Sequence, residues 1–209
     1  MCSLVYRSRK RASGPLVRCH YELNVHASVN ESSGTIGLTF SNSGHATAVF
    51  HVRSGNPSDV VRTYTVEPGK HLAGLWNASP SYNLSVYGPN GFARYFNGST
   101  VAGAAALDVR SEYDTEDGGE IELKIKNVAG VQTEVTVLNA YTGNLVSHTL
   151  HSHETIEEEV SLGKFHGWYD LIVTVAGDST FKYELAGHVE TGKDSFSDPA
   201  LGGLVTLKN

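Results

Sequence analysis

Three groups of side chains in this sequence have the types and spacing to do chemistry. The densest is His148-Thr-Leu-His151-Ser-His153-Glu154. On an extended strand, residues two apart face the same side, so His151 and His153 would offer two imidazoles to one metal ion, with Glu154 or Glu157 as a third ligand. The competing reading is a polar hairpin tip. The matching stretch earlier in the chain, TYTVEPGKHL, carries a Pro-Gly turn where the histidines stand. The tip is the favoured reading, and no metal or other cofactor is expected.

The second group would serve nucleophilic or acid–base catalysis. Serines and histidines are plentiful, yet the sequence has no Gly-x-Ser-x-Gly elbow, Cys-x-x-Cys pair, phosphate loop or His-Glu-x-x-His helix. Its carboxylates come in runs, as in Glu157-Glu158-Glu159. Such runs solvate a face, whereas an acid–base pair must converge from separate elements. Catalysis by this chain alone is therefore not expected.

The third group is aromatic, and strand alternation divides it. Tyr82, Leu84 and Val86 share one face and match Tyr169, Leu171 and Val173, the signature of a core strand present twice. Phe92 and Phe96 match Phe181 and Leu185 and also belong to the core. Tyr87 and Tyr95 fall on the opposite parity, beside the turn Gly88-Pro89-Asn90-Gly91. They are the candidates for an exposed contact with a ligand, a sugar or a lipid interface.

The elements that must position these groups are duplicated. Val25 returns as Val109, Asn42 as Asn127, Tyr82 as Tyr169, and Phe92-x-x-x-Phe96-x-Gly98 as Phe181-x-x-x-Leu185-x-Gly187, at offsets of 84, 85, 87 and 89. Strands kept and loops lengthened produce that slow drift. The expected organisation is a basic arm (1–19), a first repeat (20–99), a linker (100–105), a second repeat (106–189) and a tail (190–209). Alternating β-branched and aromatic runs predict strands near 21–29, 35–41, 46–53, 60–66, 71–76, 82–87 and 92–96. The second set falls near 107–113, 120–127, 133–140, 145–150, 154–160, 168–175 and 180–185. The fold class is all-β, two tandem antiparallel β-sandwiches of immunoglobulin-like or jelly-roll-like type. The short linker implies that the two sandwiches touch.

Charge limits the partners. The arm carries five Lys/Arg and no acid, the first repeat four of each sign, and the second repeat five basic against fifteen acidic residues. A folded surface of that kind does not suit nucleic acid, which needs clustered cations. No apolar run reaches the roughly 20 residues of a transmembrane helix. Cys2 and Cys19 both lie in the arm and cannot frame either core.

The strings YELNVHASVNESSGTIGLTFSNSGHATAVFHV, YTVEPGKHLAGLWN and YNLSVYGPNGFARYFNG closely resemble the C-terminal repeat of bacterial phosphocholine-specific phospholipase C. GWYDLIVTV and FKYELAGHVETGKDSFSDPALGG resemble the second such repeat and the chain end of those enzymes, so the resemblance covers about 20–203. It implies the accessory tail of an enzyme that hydrolyses phosphatidylcholine or sphingomyelin, with the phosphoesterase chemistry in a large N-terminal α/β domain. No catalytic residue carries over, because no position here corresponds to one. The partners it implies are that catalytic domain and a phosphocholine-lipid surface, with Tyr87, Pro89, Phe92 and Tyr95 as the docking residues. The family is secreted or periplasmic, whereas no signal peptide is legible here, so the chain as written is expected in the cytoplasm. The rival readings are a stand-alone carbohydrate- or lipid-binding sandwich and a metal-dependent hydrolase built on His148, His151 and His153.

Overall fold

The structure is a computed structural model and describes residues 21–114, 119–191, 196–198 and 200. The basic arm, with Cys2 and Cys19, lies outside the described residues. Fourteen strands follow one another in two sets of seven. The first set is β1 (Leu23–Asn30), β2 (Thr35–Asn42), β3 (Ala48–Ser54), β4 (Arg62–Val66), β5 (Lys70–Asn77), β6 (Ser81–Tyr87) and β7 (Ala93–Ser99). The second is β8 (Leu107–Asp114), β9 (Glu120–Asn127), β10 (Thr133–Asn139), β11 (Asn144–Leu150), β12 (Thr155–Ser161), β13 (Trp168–Val175) and β14 (Asp178–His188). One 3₁₀ turn, Gly163–Phe165, precedes β13.

Alternation makes these strands. TIGLTFSN of β2 turns Ile36, Leu38, Phe40 and Asn42 inward, and EIELKIKN of β9 turns Ile121, Leu123, Ile125 and Asn127 inward. Both asparagines are buried with their amides satisfied by carbonyls of the loops they close. Asn42 Nδ2 donates to the oxygens of Ala46 (2.8 Å) and Val66 (2.9 Å). Asn127 Nδ2 donates to those of Val131 (2.7 Å) and His151 (3.1 Å).

Within each repeat a three-stranded sheet faces four strands. The small sheets run β1-β2-β5 and β12-β9-β8. The order matches an immunoglobulin-type Greek key, except that the fourth strand lies beside the third rather than beside the fifth. The four-stranded sheets are not separate. They merge into one eight-stranded sheet, β11-β10-β13-β14-β7-β6-β3-β4, through an antiparallel β7–β14 pairing. Tyr95 pairs with Glu184, Arg94 with Leu185 and Phe96 with Tyr183. Tyr95 and Glu184 are themselves equivalent positions, 89 apart, so a pseudo-two-fold axis passes between them.

That axis organises the junction beneath the sheet. Tyr82 of the first repeat bonds Tyr183 of the second, hydroxyl to hydroxyl, at 3.0 Å. At the mirrored position Arg94 replaces a tyrosine, and its Nη2 donates to Tyr169 (3.0 Å) and Tyr113 (2.7 Å). Nη1 donates to the carbonyls of Ala93 and Ala186, while Nε has no partner among the described residues. Arg94 is fully buried, with its guanidinium 4.2 Å from the Phe92 ring centroid. Burial pushes the Tyr169 and Tyr183 hydroxyls far above the ordinary phenol range, so Tyr169 stays neutral beside that charge and Tyr183 stays neutral beside Tyr82. Gly98 and Gly187 complete the symmetry. A Cβ at Gly98 would come within 2.2 Å of the Tyr82 hydroxyl, and one at Gly187 within 2.7 Å of the Tyr169 hydroxyl.

The linker is tied down by Asp178, whose Oδ2 accepts the Ala105 amide at 2.8 Å. Burial alone would raise this carboxyl. Bonds from Ala105, Thr180 and Phe181 outweigh it and hold the group below its ordinary value.

Candidate functional site

The two tyrosines singled out by parity meet on the outer face of the eight-stranded sheet. Tyr87 ends β6 and Tyr95 lies on β7, with ring centroids 5.8 Å apart and planes at 85°. Tyr87 is 37 % exposed, and the Arg53 guanidinium stands 6.0 Å from its ring centroid. Because Tyr95 sits on the pseudo-two-fold axis, the second repeat contributes the adjoining charges. Glu184 pairs with it across the strands, Lys182 bonds Glu184 at 2.6 Å, and Asp170 lies one strand further.

These neighbours shift one another. The Tyr95 hydroxyl is pushed up to about 12 by burial, by its bond with Tyr87 and by the negative field of Glu184 and Asp170. Asp170 is raised to about 6 by burial first and by Glu184 second, with Lys182 opposing. Its Oδ1 is buried without a hydrogen-bond partner among the described residues. The arrangement presents aromatic edges, a nearby cation and a carboxylate that titrates just below neutrality.

The other two residues assigned to this patch are placed elsewhere. Phe92 is 6 % exposed and packs edge-on against Phe50 at 5.6 Å, so it belongs to the core. Pro89 is half-buried in a turn whose next two residues, Asn90 and Gly91, take φ of 53° and 75°. That turn is held against the second repeat. Asn90 Nδ2 bonds Glu190 Oε1, and a Cβ on Gly91 would lie 2.6 Å from the Trp168 ring.

The histidines do not share a strand face. His148 is on β11 and its Nε2 meets Glu158 Oε2 of β12 at 3.0 Å. His151 and His153 lie in the turn between those strands, His153 at φ 63°. The Glu154 carboxylate accepts the His151 backbone amide at 2.7 Å. Among the described residues no group of three His, Cys, Asp or Glu side chains could hold a metal ion, and no helix is long and apolar enough to cross a membrane.

A second concavity had no signature in the sequence, because both repeats build it. A cleft of about 810 Å³ opens beside the linker between β1 and β8, with His26, Asp108, Arg110, Tyr82 and Tyr183 among its walls. Burial and the Arg110 charge lower the His26 imidazole, with Asp108 opposing. Here β1 meets β8: Asn24 bonds Ser111 across the repeats, and the outward His26 lies within the field of Arg110 and Asp108.

Comparison with known proteins adds an independent line. The profile of the family described as bacterial phospholipase C, C-terminal domain, matches residues 15–99 and again 107–188. The chain is 40 % identical to the non-hemolytic phospholipase C of Burkholderia pseudomallei, over 87 % of this chain and 27 % of that protein. It is 32 % identical to the hemolytic phospholipase C of Pseudomonas aeruginosa, over 92 % of this chain and 30 % of that protein. The non-hemolytic enzyme of the same organism is 33 % identical, over 90 % and 28 %. The chain thus spans less than a third of the relatives it matches.

Proposed function

Because this chain belongs to the bacterial phospholipase C C-terminal domain family through both of its repeats, we propose that it is the accessory docking module of a phosphocholine-specific phospholipase C. In this reading, hydrolysis of phosphatidylcholine or sphingomyelin is carried out by the part of the polypeptide that its relatives have in addition. The observation that carries the reading is the doubled family match over less than a third of each relative's length. The chain's own chemistry agrees with it. The buried polar side chains Asn42, Asn127 and Arg94 close loops and join the repeats, and His148 is engaged by Glu158.

The test is phosphocholine release from phosphatidylcholine vesicles. The purified chain is assayed beside a full-length chimera in which it replaces the matching region of the Burkholderia pseudomallei relative. The chain alone is expected to be silent and the chimera active. Turnover by the chain alone would overturn the reading and move attention to His148, His151 and His153.

A lipid-side role for the tyrosine pair is the second reading, favoured by the exposure of Tyr87 on the sheet surface beside Arg53. Aromatic rings of this kind settle at the headgroup level of a bilayer. Tyr87→Ala with Tyr95→Ala should then reduce co-sedimentation with phosphatidylcholine vesicles. Unchanged co-sedimentation would rule the pair out.

A further inference from the structure

The two three-stranded sheets have the same inner faces and opposite outer ones. On β1-β2-β5 the outward positions are Asn24, His26, Ser28 and Asn30, then Thr35, Gly37, Thr39 and Ser41, then His71, Ala73, Leu75 and Asn77. None is Asp, Glu, Lys or Arg. At the twelve matching positions of β8, β9 and β12, ten are charged: Asp108, Arg110, Glu112 and Asp114, Glu120, Glu122, Lys124 and Lys126, Glu157 and Glu159. Lys124 alone reaches Glu112 at 3.0 Å, Glu122 at 3.2 Å and Glu157 at 3.9 Å.

The edges differ in the same sense. β5 and β12 are the open edges of their sheets. An edge in water is ordinarily guarded by charge, as Glu157 and Glu159 guard β12. β5 instead offers Ala73 and Leu75, the latter 60 % exposed. The Arg62 guanidinium donates to the Leu75 carbonyl at 2.8 Å and lies 4.6 Å from the Trp76 ring centroid, and the exposed Val60 and Val61 precede it in sequence. A face whose twelve outward side chains include no Asp, Glu, Lys or Arg shares the depletion of charged residues found at interface centres.

We infer that the outer face of β1-β2-β5, with the β5 edge, is covered by the catalytic part of the phospholipase polypeptide. This rests on the docking reading above. More than two thirds of each relative lies outside the region matched here, so a large tethered partner accompanies this module in those proteins. Footprint argues for a tethered occupant over a free one. Three strands of eight residues cover at most ~27 Å by ~14 Å, roughly 400 Å², and β8 already takes part of the β1 side, where Asn24 bonds Ser111. A free complex needs about 800 Å² from each partner. A covalently linked domain manages with less, because the tether holds it at about millimolar local concentration.

Amide hydrogen exchange on the chain alone and on the full-length chimera tests this. Amides of β5 and β2 should exchange about tenfold more slowly in the chimera, with β12 unchanged. In the chimera carrying Thr39→Lys and Leu75→Lys that protection should vanish, while the melting temperature of the variant chain alone stays the same. Protection appearing on β12 or on β6–β7 instead would overturn this face and leave docking standing. Protection nowhere, in a chimera that still hydrolyses phosphatidylcholine, would overturn docking itself.

Discussion

Inside the two small sheets, Ile36, Leu38, Phe40 and Asn42 find near copies in Ile121, Leu123, Ile125 and Asn127; outside, Thr39 and Leu75 stand where the second repeat has Lys124 and Glu159. The contrast separates two kinds of constraint. Inner positions must fill a close-packed volume and satisfy buried loop carbonyls, so both repeats solve them alike. Outer positions answer only to what lies against them. Ten charges suit water, and their absence from the first repeat suits a covering surface.

The comparison breaks hardest at the junction, where the repeats exchange unlike groups across the pseudo-two-fold axis. Arg94→Ala should destabilise the chain by about 2–5 kcal/mol, since it opens a cavity at the junction and takes the charged donor from two carbonyls and two phenols, which keep only their bond to each other and that of Tyr113 to the Leu23 carbonyl. Tyr183→Phe, at the mirrored position, should lose about 1 kcal/mol, one hydroxyl bond. Urea denaturation followed by tryptophan fluorescence reads both. Equal losses would mean that the guanidinium is not what joins the repeats.

The glycines beside that junction sharpen the same comparison. Gly98→Ala and Gly187→Ala should each destabilise by about 1–3 kcal/mol through overpacking, Gly98 more because its Cβ meets a hydroxyl at 2.2 Å rather than 2.7 Å. Tyr82→Phe should recover part of the Gly98→Ala loss, because the ring carbon Cζ still stands 2.5 Å from the added Cβ, and none of the Gly187→Ala loss. A double-mutant cycle measures this, and recovery at both sites would contradict the assigned contacts.

A smaller effect distinguishes the outer face of the large sheet. Asp170 titrates near 6 in the folded chain against an ordinary 3.8, so the folded state binds the extra proton between those values. Stability should therefore rise as pH falls from 7 through this window. Asp170→Asn should remove that dependence and stabilise the chain at pH 7 by about 1 kcal/mol, a figure discounted for the solvent that screens a half-exposed group. Thermal melts across pH 4–8 decide it, and a variant with an unchanged slope would refute the shift.

Much of this architecture was legible beforehand, and the limits are instructive. All fourteen strands occur within three residues of their expected ends, because alternation and turn residues are local signals. The largest extensions are at the C-terminal ends of β7 and β14, the two strands that pair across the repeats. Their pairing leaves no mark in composition, so the continuous eight-stranded sheet could not be read. Asn42 and Asn127 stood out as repeat markers, yet their loop-closing bonds needed coordinates. Parity separated Tyr87 and Tyr95 from the core correctly. It could not foresee that Glu184 and Asp170 would surround Tyr95, since those neighbours arrive only through the β7–β14 pairing. The outer-face charges were in view as a net count per repeat, but only strand register assigns them to one surface.

The most direct test exchanges the two outer faces in the full-length chimera. One variant writes charge onto the first repeat with Thr39→Lys, Ala73→Glu and Leu75→Glu; the other removes it from the second with Lys124→Thr, Glu157→Ala and Glu159→Leu. Phosphatidylcholine hydrolysis is then measured under identical conditions. The account predicts a loss of about tenfold or more for the first variant and near-normal turnover for the second, in line with the cost of desolvating three introduced charges in an interface. Equal activity in both, or a loss confined to the second, would contradict it.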